Sequence, residues 1–300
     1  MAGERGQGPR APRGALVIRL LALDVDGTLA HRGDEILPAT REALQRARSA
    51  GIEVAIATGR RYRTTRRVIE NLGFDVASVS LGGTLVKEAD GTTLHRRTLA
   101  PQELVDVLTL YREAGQAAIG QRDGHDDGGA DFVLDGALPW NGWTSRYAEA
   151  NREYCEWHRD LAAEGGRDDV IELCGFGPEA ELASLEARVQ ELHPGRFETV
   201  LLPMPESSST RGGFFLEVRP AGACKWSGLS VLLEDRGLVP QAVCAVGDER
   251  NDLSMVAGAG LGVAMGNAHP ELSEAADWVT GRHDEDGLVA VVERLLAQLG

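Results

Sequence analysis

The chain has 300 residues, 43% of them hydrophobic and 26% charged, and a formal net charge of -15. That length and apolar fraction provide for one large domain or two ordinary ones with a sizeable core. The acidic excess argues against non-specific binding to nucleic acid or to an anionic membrane, which need basic surfaces; it leaves open a small anionic substrate in a locally positive site, and it suits a protein that holds a divalent cation.

Residues 1–15, rich in Gly, Pro and Arg, read as a disordered leader. The apolar run that follows is short, broken by Arg19, and ends in acid, so it is neither a signal-peptide core nor a membrane span. Residues 16–23 read as a strand buried in a parallel sheet. A helix is expected over 38–50, opened by Pro38 and stopped by Gly51. A second buried strand covers 52–58, a helix 61–72, and a third strand 74–80. This β-α-β-α-β order implies a parallel sheet with right-handed crossovers.

The pattern changes near Gly82. Residues 85–99 look like a hairpin around Asp90-Gly91. A helix over 101–114 precedes short strands at 117–120 and 131–134, which flank the loop QRDGHDDGGAD. A helix over 144–164, a strand over 169–175, a helix over 178–192 and strands at 197–203 and 213–220 complete an α+β block. Alternation then returns: a helix from Lys225 to Arg236, a strand at 242–247, a helix at 252–257, a strand at 261–265, a helix at 270–276, a strand at 277–280 and a closing helix at 287–299. The expected organisation is a core of residues 16–83 and 215–300, split by an insert over 84–214.

Four places in the core fall where parallel strands end, the edge at which open α/β sheets build their sites. They are Asp24-Val25-Asp26-Gly27-Thr28, Ala57-Thr58-Gly59-Arg60, Lys225, and Gly247-Asp248-Glu249-Arg250-Asn251-Asp252. Residues i and i+2 of an extended segment face one side, so Asp24 and Asp26 can enter one crevice. If a helix begins in the last stretch, Asp248 and Asp252 stand one turn apart and face one point. Each motif alone also reads as an ordinary turn, cap or solvated side chain. Their joint order is what carries weight: several acids, a hydroxyl, an amide and an ammonium call for a hard cation such as Mg²⁺ and a phosphate group. Phosphoryl transfer follows, with one aspartate as nucleophile and the other as acid/base.

These motifs resemble those of the haloacid dehalogenase superfamily of phosphohydrolases: DVDGTL, ATGR, Lys225 and GDERNDLSM. The tail GLGVAMGNAHPELSEAADWVTGRHDEDGLVAVV is similar to that of the Cof-type subgroup, subfamily IIB, whose cap is an α+β insert between the second and third motifs. The resemblance implies an α/β fold, a Rossmann-like core with a parallel sheet plus an inserted cap domain. It further implies a Mg²⁺-dependent phosphatase acting on a small phosphorylated metabolite, a sugar phosphate among the candidates. Asp24 would be the nucleophile and Asp26 the acid/base. Thr58, Gly59, Lys225 and Asn251 would hold the phosphoryl group. Mg²⁺ would sit on Asp24, the Asp26 backbone carbonyl and Asp248, with Asp252 supporting that shell. Two other functions share the scaffold: a phosphomannomutase-like phosphotransferase, and a non-catalytic binding protein, which would be expected to lose these acids.

Relatives of the subgroup usually carry Asn-Gly after the third strand, whereas this chain has Ser80-Leu81-Gly82-Gly83. Arg60 and Arg61 either meet an anionic substrate or stand solvated at a helix start. His125, Asp126 and Asp127 are consecutive or nearly so and cannot easily converge on one ion. Trp140, Trp143 and Trp157 are read as packing in the insert. Cys155, Cys174, Cys224 and Cys244 form no C-x-x-C pair and are read as buried small hydrophobes of a reducing, cytoplasmic setting. Nothing in the sequence specifies an oligomeric state.

Overall fold

In the computed structural model, residues 17–125, 128–204 and 211–299 are described; the expected leader and the loop-tip residues Asp126 and Asp127 lie outside them. The chain forms two compact units, one from the residues up to 55 and from 233 on, the other from residues 56–232. The division passes through the strand Glu53–Ala57 and the helix Lys225–Arg236.

The first unit is organised by Leu20–Leu23, whose four residues are all buried. A strand with no polar face must be covered on both sides, which is the situation of a parallel sheet carrying crossover helices. It pairs in parallel with Val243–Gly247, which pairs in parallel with Leu261–Ala264, and that in turn with Trp278–Val279. The helix Pro38–Ser49 begins with proline at its first turn and buries Thr40, Ala43, Leu44 and Ala47, an i, i+3, i+4, i+7 stripe. It packs with the closing helix Gly287–Ala297.

The second unit contains the antiparallel strands Ala77–Ser80, Leu85–Lys87 and Thr93–Arg96. The turn at Asp90-Gly91 forms as expected: the Asp90 carboxylate accepts from the Thr92 N–H at 2.8 Å. A six-stranded sheet follows, in the order Phe197–Pro203, Phe214–Pro220, Glu172–Gly177, Ala118–Gln121, Phe132–Asp135 and Cys155–His158. The last pair is parallel and the others antiparallel. Alternation assigns its two faces. Ala118, Val133, Leu173, Leu216 and Val218 join Leu104, Val107, Tyr111, Leu182, Leu185 and Val189 of the helices Pro101–Glu113 and Glu179–Leu192. Ile119, Phe132, Leu134, Cys174 and Phe176 form the other face, with Tyr147 stacked on Phe176 at 4.5 Å. The fold is α/β, with a Rossmann-like parallel core and an inserted α+β cap.

One expected element is corrected. The helix predicted over 144–164 is the shorter Gly142–Ala150, a 3-10 turn and the strand Cys155–His158. The Asn141 side chain caps the helix start by accepting from the Trp143 and Thr144 N–H groups. The following residues pair with Phe132–Asp135, so sheet hydrogen bonding overrides the helical pattern of 155–158. Trp140 and Trp143 pack against the second face, whereas Trp157 is 61% exposed and leans on Trp140. Of the cysteines, Cys174 and Cys244 are buried, while Cys155 and Cys224 are half-buried; all four are free thiols.

Glu172, Glu217 and Arg219 place charge within the second unit's sheet. Glu172 is fully buried, Arg219 Nε lies 3.3 Å from its Oε2, and Arg219 also bonds Glu217. Burial, reinforced by the neighbouring Glu217, pushes Glu172 from 4.5 up to about 8, and Arg219 offsets only part of this. The folded chain therefore retains a proton there that the unfolded chain releases at the ordinary glutamate value. The associated stability is fully present below that value and is lost as pH rises through about 8. Thermal melts across this window should show the wild type losing stability with rising pH relative to Glu172→Gln, which cannot titrate. Parallel curves for the two proteins would refute the assignment.

Candidate active site

The first unit gathers its acids at the carboxyl ends of two adjacent strands. Leu20–Leu23 delivers Asp24, which is 5% exposed and whose N–H donates to Val246 O at 3.0 Å. The chain then turns tightly about Val25, whose carbonyl accepts from the N–H groups of Leu29 at 3.1 Å and Ala30 at 2.8 Å. Val243–Gly247 delivers Asp248 in the same way. Asp252 lies in the 3-10 turn Arg250–Asp252 rather than on an α-helix, and is wholly buried. Its Oδ2 accepts from the N–H groups of Asp248 and Glu249, both at 3.0 Å. These charge-stabilising bonds secure the turn and offset the burial of the carboxylate.

Asp24, Asp248 and Asp252 offer carboxylate oxygens that all lie within 4.8 Å of one another. Three hard anionic donors at this spacing repel unless a cation or protons compensate. The backbone also leaves room: Gly27 has φ +79°, and a Cβ there would come within 2.2 Å of Asp248 Oδ2. The donor set and the space beside it fit a Mg²⁺ ion.

Asp26 is exposed and its side chain is outside this acid cluster; its backbone bridges to Ala30. Asn251 is half-buried, and its Oδ1 is a buried acceptor with no hydrogen-bond partner among the described residues.

Thr58, Gly59 and Lys225 belong to the second unit. Thr58 is buried, its N–H donating to Val79 O at 2.8 Å and its carbonyl accepting from Gly82 at 3.1 Å. The Thr58 hydroxyl accepts from the Arg60 N–H at 3.1 Å. Lys225 is buried at the start of Lys225–Arg236, where the Ser227 hydroxyl accepts from the Cys224 N–H at 3.0 Å.

Arg61 is not a solvated helix-start residue. Its guanidinium reaches Asp131 at 2.5 Å and Asn151 at 2.8 Å, and lies over the rings of Phe132 and Tyr154. Arg63 shares Asp131 at 2.8 Å, a bond that holds its pKa above the usual arginine value, and it also donates to Gly124 O and Gly129 O. Gly124 and Gly129 are thus tied to a residue just after Thr58-Gly59.

Sequence reasoning missed Gly27 as a steric requirement, Asp131 as the partner of the arginines, and Asn267. The Asn267 amide donates to Gly27 O at 2.9 Å and to Asp248 Oδ2 at 3.2 Å. The only signal for Asn267 was its place in the tail that carried the resemblance.

Acids at the carboxyl edge of a parallel sheet place the chain among α/β enzymes that do their chemistry there. A model of the haloacid dehalogenase-like hydrolases matches residues 21–292, and the chain belongs to that family as a Cof-type phosphoric monoester hydrolase. It is 28% identical to phosphatase YwpJ of Bacillus subtilis, covering 93% of this chain and 100% of the relative. It is 29% identical to 5-amino-6-(5-phospho-D-ribitylamino)uracil phosphatase YwtE of Bacillus subtilis, covering 93% and 99%. Among solved structures, a haloacid dehalogenase-like hydrolase from Bacteroides thetaiotaomicron superposes with a TM-score of 0.74 at 27% identity, covering 93% and 99%.

Gly27→Ala combines a strained φ with a clash against Asp248. It should cost about 1–3 kcal/mol in denaturant unfolding and lower phosphate-ester hydrolysis by about 100-fold through displacement of Asp248. Retained activity would show that the acid cluster tolerates that displacement.

Proposed function

We propose that this protein is a Mg²⁺-dependent phosphatase that hydrolyses a small phosphorylated metabolite through an aspartyl-phosphate. The observation that carries the proposal is the convergence of Asp24, Asp248 and Asp252 from the ends of adjacent parallel strands. On this reading Asp24, the Asp26 carbonyl and Asp248 would hold the ion, while Asp252 braces the Asp248-Glu249 backbone. The ion would neutralise charge on the phosphoryl oxygens and on the nucleophile.

An Asp24 oxygen attacks phosphorus, and the bond from phosphorus to the ester oxygen breaks. Asp26 gives its proton to the departing alkoxide, which leaves as the alcohol. Asp26, now a carboxylate, takes a proton from water as that water attacks the phosphorus of the acyl phosphate. Phosphate leaves and the Asp24 carboxylate is restored. Asp26 has to exchange protons, and its exposure is consistent with that task, while the buried Asp24 suits a positioned nucleophile. Thr58 and Gly59 would donate to phosphoryl oxygens, Lys225 would balance their charge, and Asn251 would fix the same group.

The proposed core is residues 16–83 and 215–300, with 84–214 as the cap that selects the leaving group, except that the strand Phe214–Pro220 pairs in the six-stranded sheet and so goes with the cap. The names of the relatives support a small phosphate ester as the substrate class, and the net charge of -15 speaks against a nucleic-acid partner. No helix among the described residues is long and apolar enough to cross a membrane; with four free thiols, this supports a cytoplasmic setting.

Phosphate release from a panel of phosphorylated metabolites should require Mg²⁺ and fall to background in Asp24→Asn. Release that survives in Asp24→Asn would remove Asp24 as nucleophile. Transfer of the phosphoryl group back to a bisphosphate-activated substrate, with no net release, would make the protein a mutase.

A further inference from the structure

The three acids of the cluster are not fixed in the same way. Asp24 is buried against the strand that follows it in the sheet, and Asp252 is anchored by two backbone N–H groups. Asp248 is half-buried, and its carboxylate is met by side chains from two other segments. Its Oδ1 accepts from the Thr28 hydroxyl at a long 3.4 Å, whereas its Oδ2 accepts from the Asn267 amide at 3.2 Å.

The orientation of Asn267 is determined by its partners. Gly27 O and Asp248 Oδ2 can only accept, so both must face the amide NH₂. The His283 backbone N–H can only donate, and it meets Asn267 Oδ1 at 2.9 Å. The His283 ring Nδ1, 3.1 Å from the same oxygen, must therefore carry a hydrogen. His31 packs on that ring at 4.7 Å, backing the assembly from the other side. The Asn267 backbone is set by its own turn: Ala268 N–H donates to Met265 O at 2.9 Å, and His269 N–H donates to Asp248 O at 2.7 Å. One amide thus joins the loop after the first strand, the loop that carries Asp248, and the segment at 283.

We propose that Asn267 is a positioning residue that orients the Asp248 carboxylate for the cation and holds the Gly27 turn against it; this rests on the Mg²⁺-dependent reading above. Removal of the amide takes away the 3.2 Å donor to Asp248 Oδ2 and the 2.9 Å donor to the Gly27 carbonyl. Outer partners of metal ligands act in this way, at about 10–100-fold in metal affinity.

The test uses Mn²⁺ as a spectroscopic stand-in, with free Mn²⁺ measured by electron paramagnetic resonance. Wild type, Asn267→Ala, Asn267→Ser and Asp248→Asn are titrated, and each is also assayed with a simple aryl phosphate and melted. The expected result is a Kd for Mn²⁺ raised about 10–100-fold in both Asn267 variants. Most of kcat should return at saturating metal, KM should change little, and the melting temperature should stay close to wild type. Unchanged Mn²⁺ affinity in both folded variants overturns the proposal while leaving the metal-dependent reading intact. Failure of both variants to fold makes Asn267 a structural residue and also overturns it. Absence of Mn²⁺ binding by the wild type overturns the metal-dependent reading itself, and the proposal with it.

Discussion

Three carboxylates within 4.8 Å of each other are the constraint around which the first unit is arranged. Buried like charges raise the energy of the fold by several kcal/mol unless something answers them. The protein answers with fixed dipoles: two backbone N–H groups on Asp252, an amide on Asp248, and a turn after the first strand with no side chain at Gly27 to fill the space. Each of these devices depends on the parallel register of Leu20–Leu23 with Val243–Gly247, because that register brings Asp24 and Asp248 out at the same edge. The continuous apolar character of both strands is therefore a functional requirement as well as a packing one.

The second unit handles charge by pairing it. Lys87 and Asp123 form an ion pair at 2.8 Å with almost no exposure, and the Lys87 ammonium also donates to the Thr93 hydroxyl and lies over the Tyr62 ring. Asp131 binds Arg61 and Arg63 together. Buried pairs of this kind add little net stability compared with apolar residues, but breaking one leaves a charge stranded. Their geometric effect is to tie Asp123 to Lys87 and Asp131 to the arginines that follow Thr58-Gly59. Surface pairs such as Arg46–Glu293, half exposed on both sides, have no comparable influence.

Arg219 gives a physical reason for the departure at Ser80-Leu81-Gly82-Gly83. Its guanidinium occupies the space above Gly82, where a Cβ would lie 1.5 Å from Nη1. Any side chain at 82 would collide with a cation that is itself held by Glu172 and Glu217. A glycine at one end of the insert and an arginine at the other are thus one steric choice, made by residues more than a hundred positions apart. Leu81, with φ +48°, carries the associated backbone strain and is buried with Tyr62, Leu85 and Ile171.

Much of this protein was legible in its sequence because the signals are local. Apolar runs without alternation marked the parallel strands, Pro38 and Gly51 bounded a helix, Asp90-Gly91 marked a hairpin, and acids directly after strands marked the site edge. The spacing of GDERND placed Asp248 and Asp252 near one point, although the turn proved to be 3-10, with Asp252 reaching back to backbone amides. The 155–158 strand was hidden because its partner, Phe132–Asp135, lies about twenty residues earlier, and pairing across that separation leaves no period in the sequence. The destination of Arg61, the emptiness required at Gly27 and Gly82, and the reach of Asn267 to Asp248 depend on contacts between distant segments. Such contacts exist only once the chain has packed, so tertiary structure alone decided them.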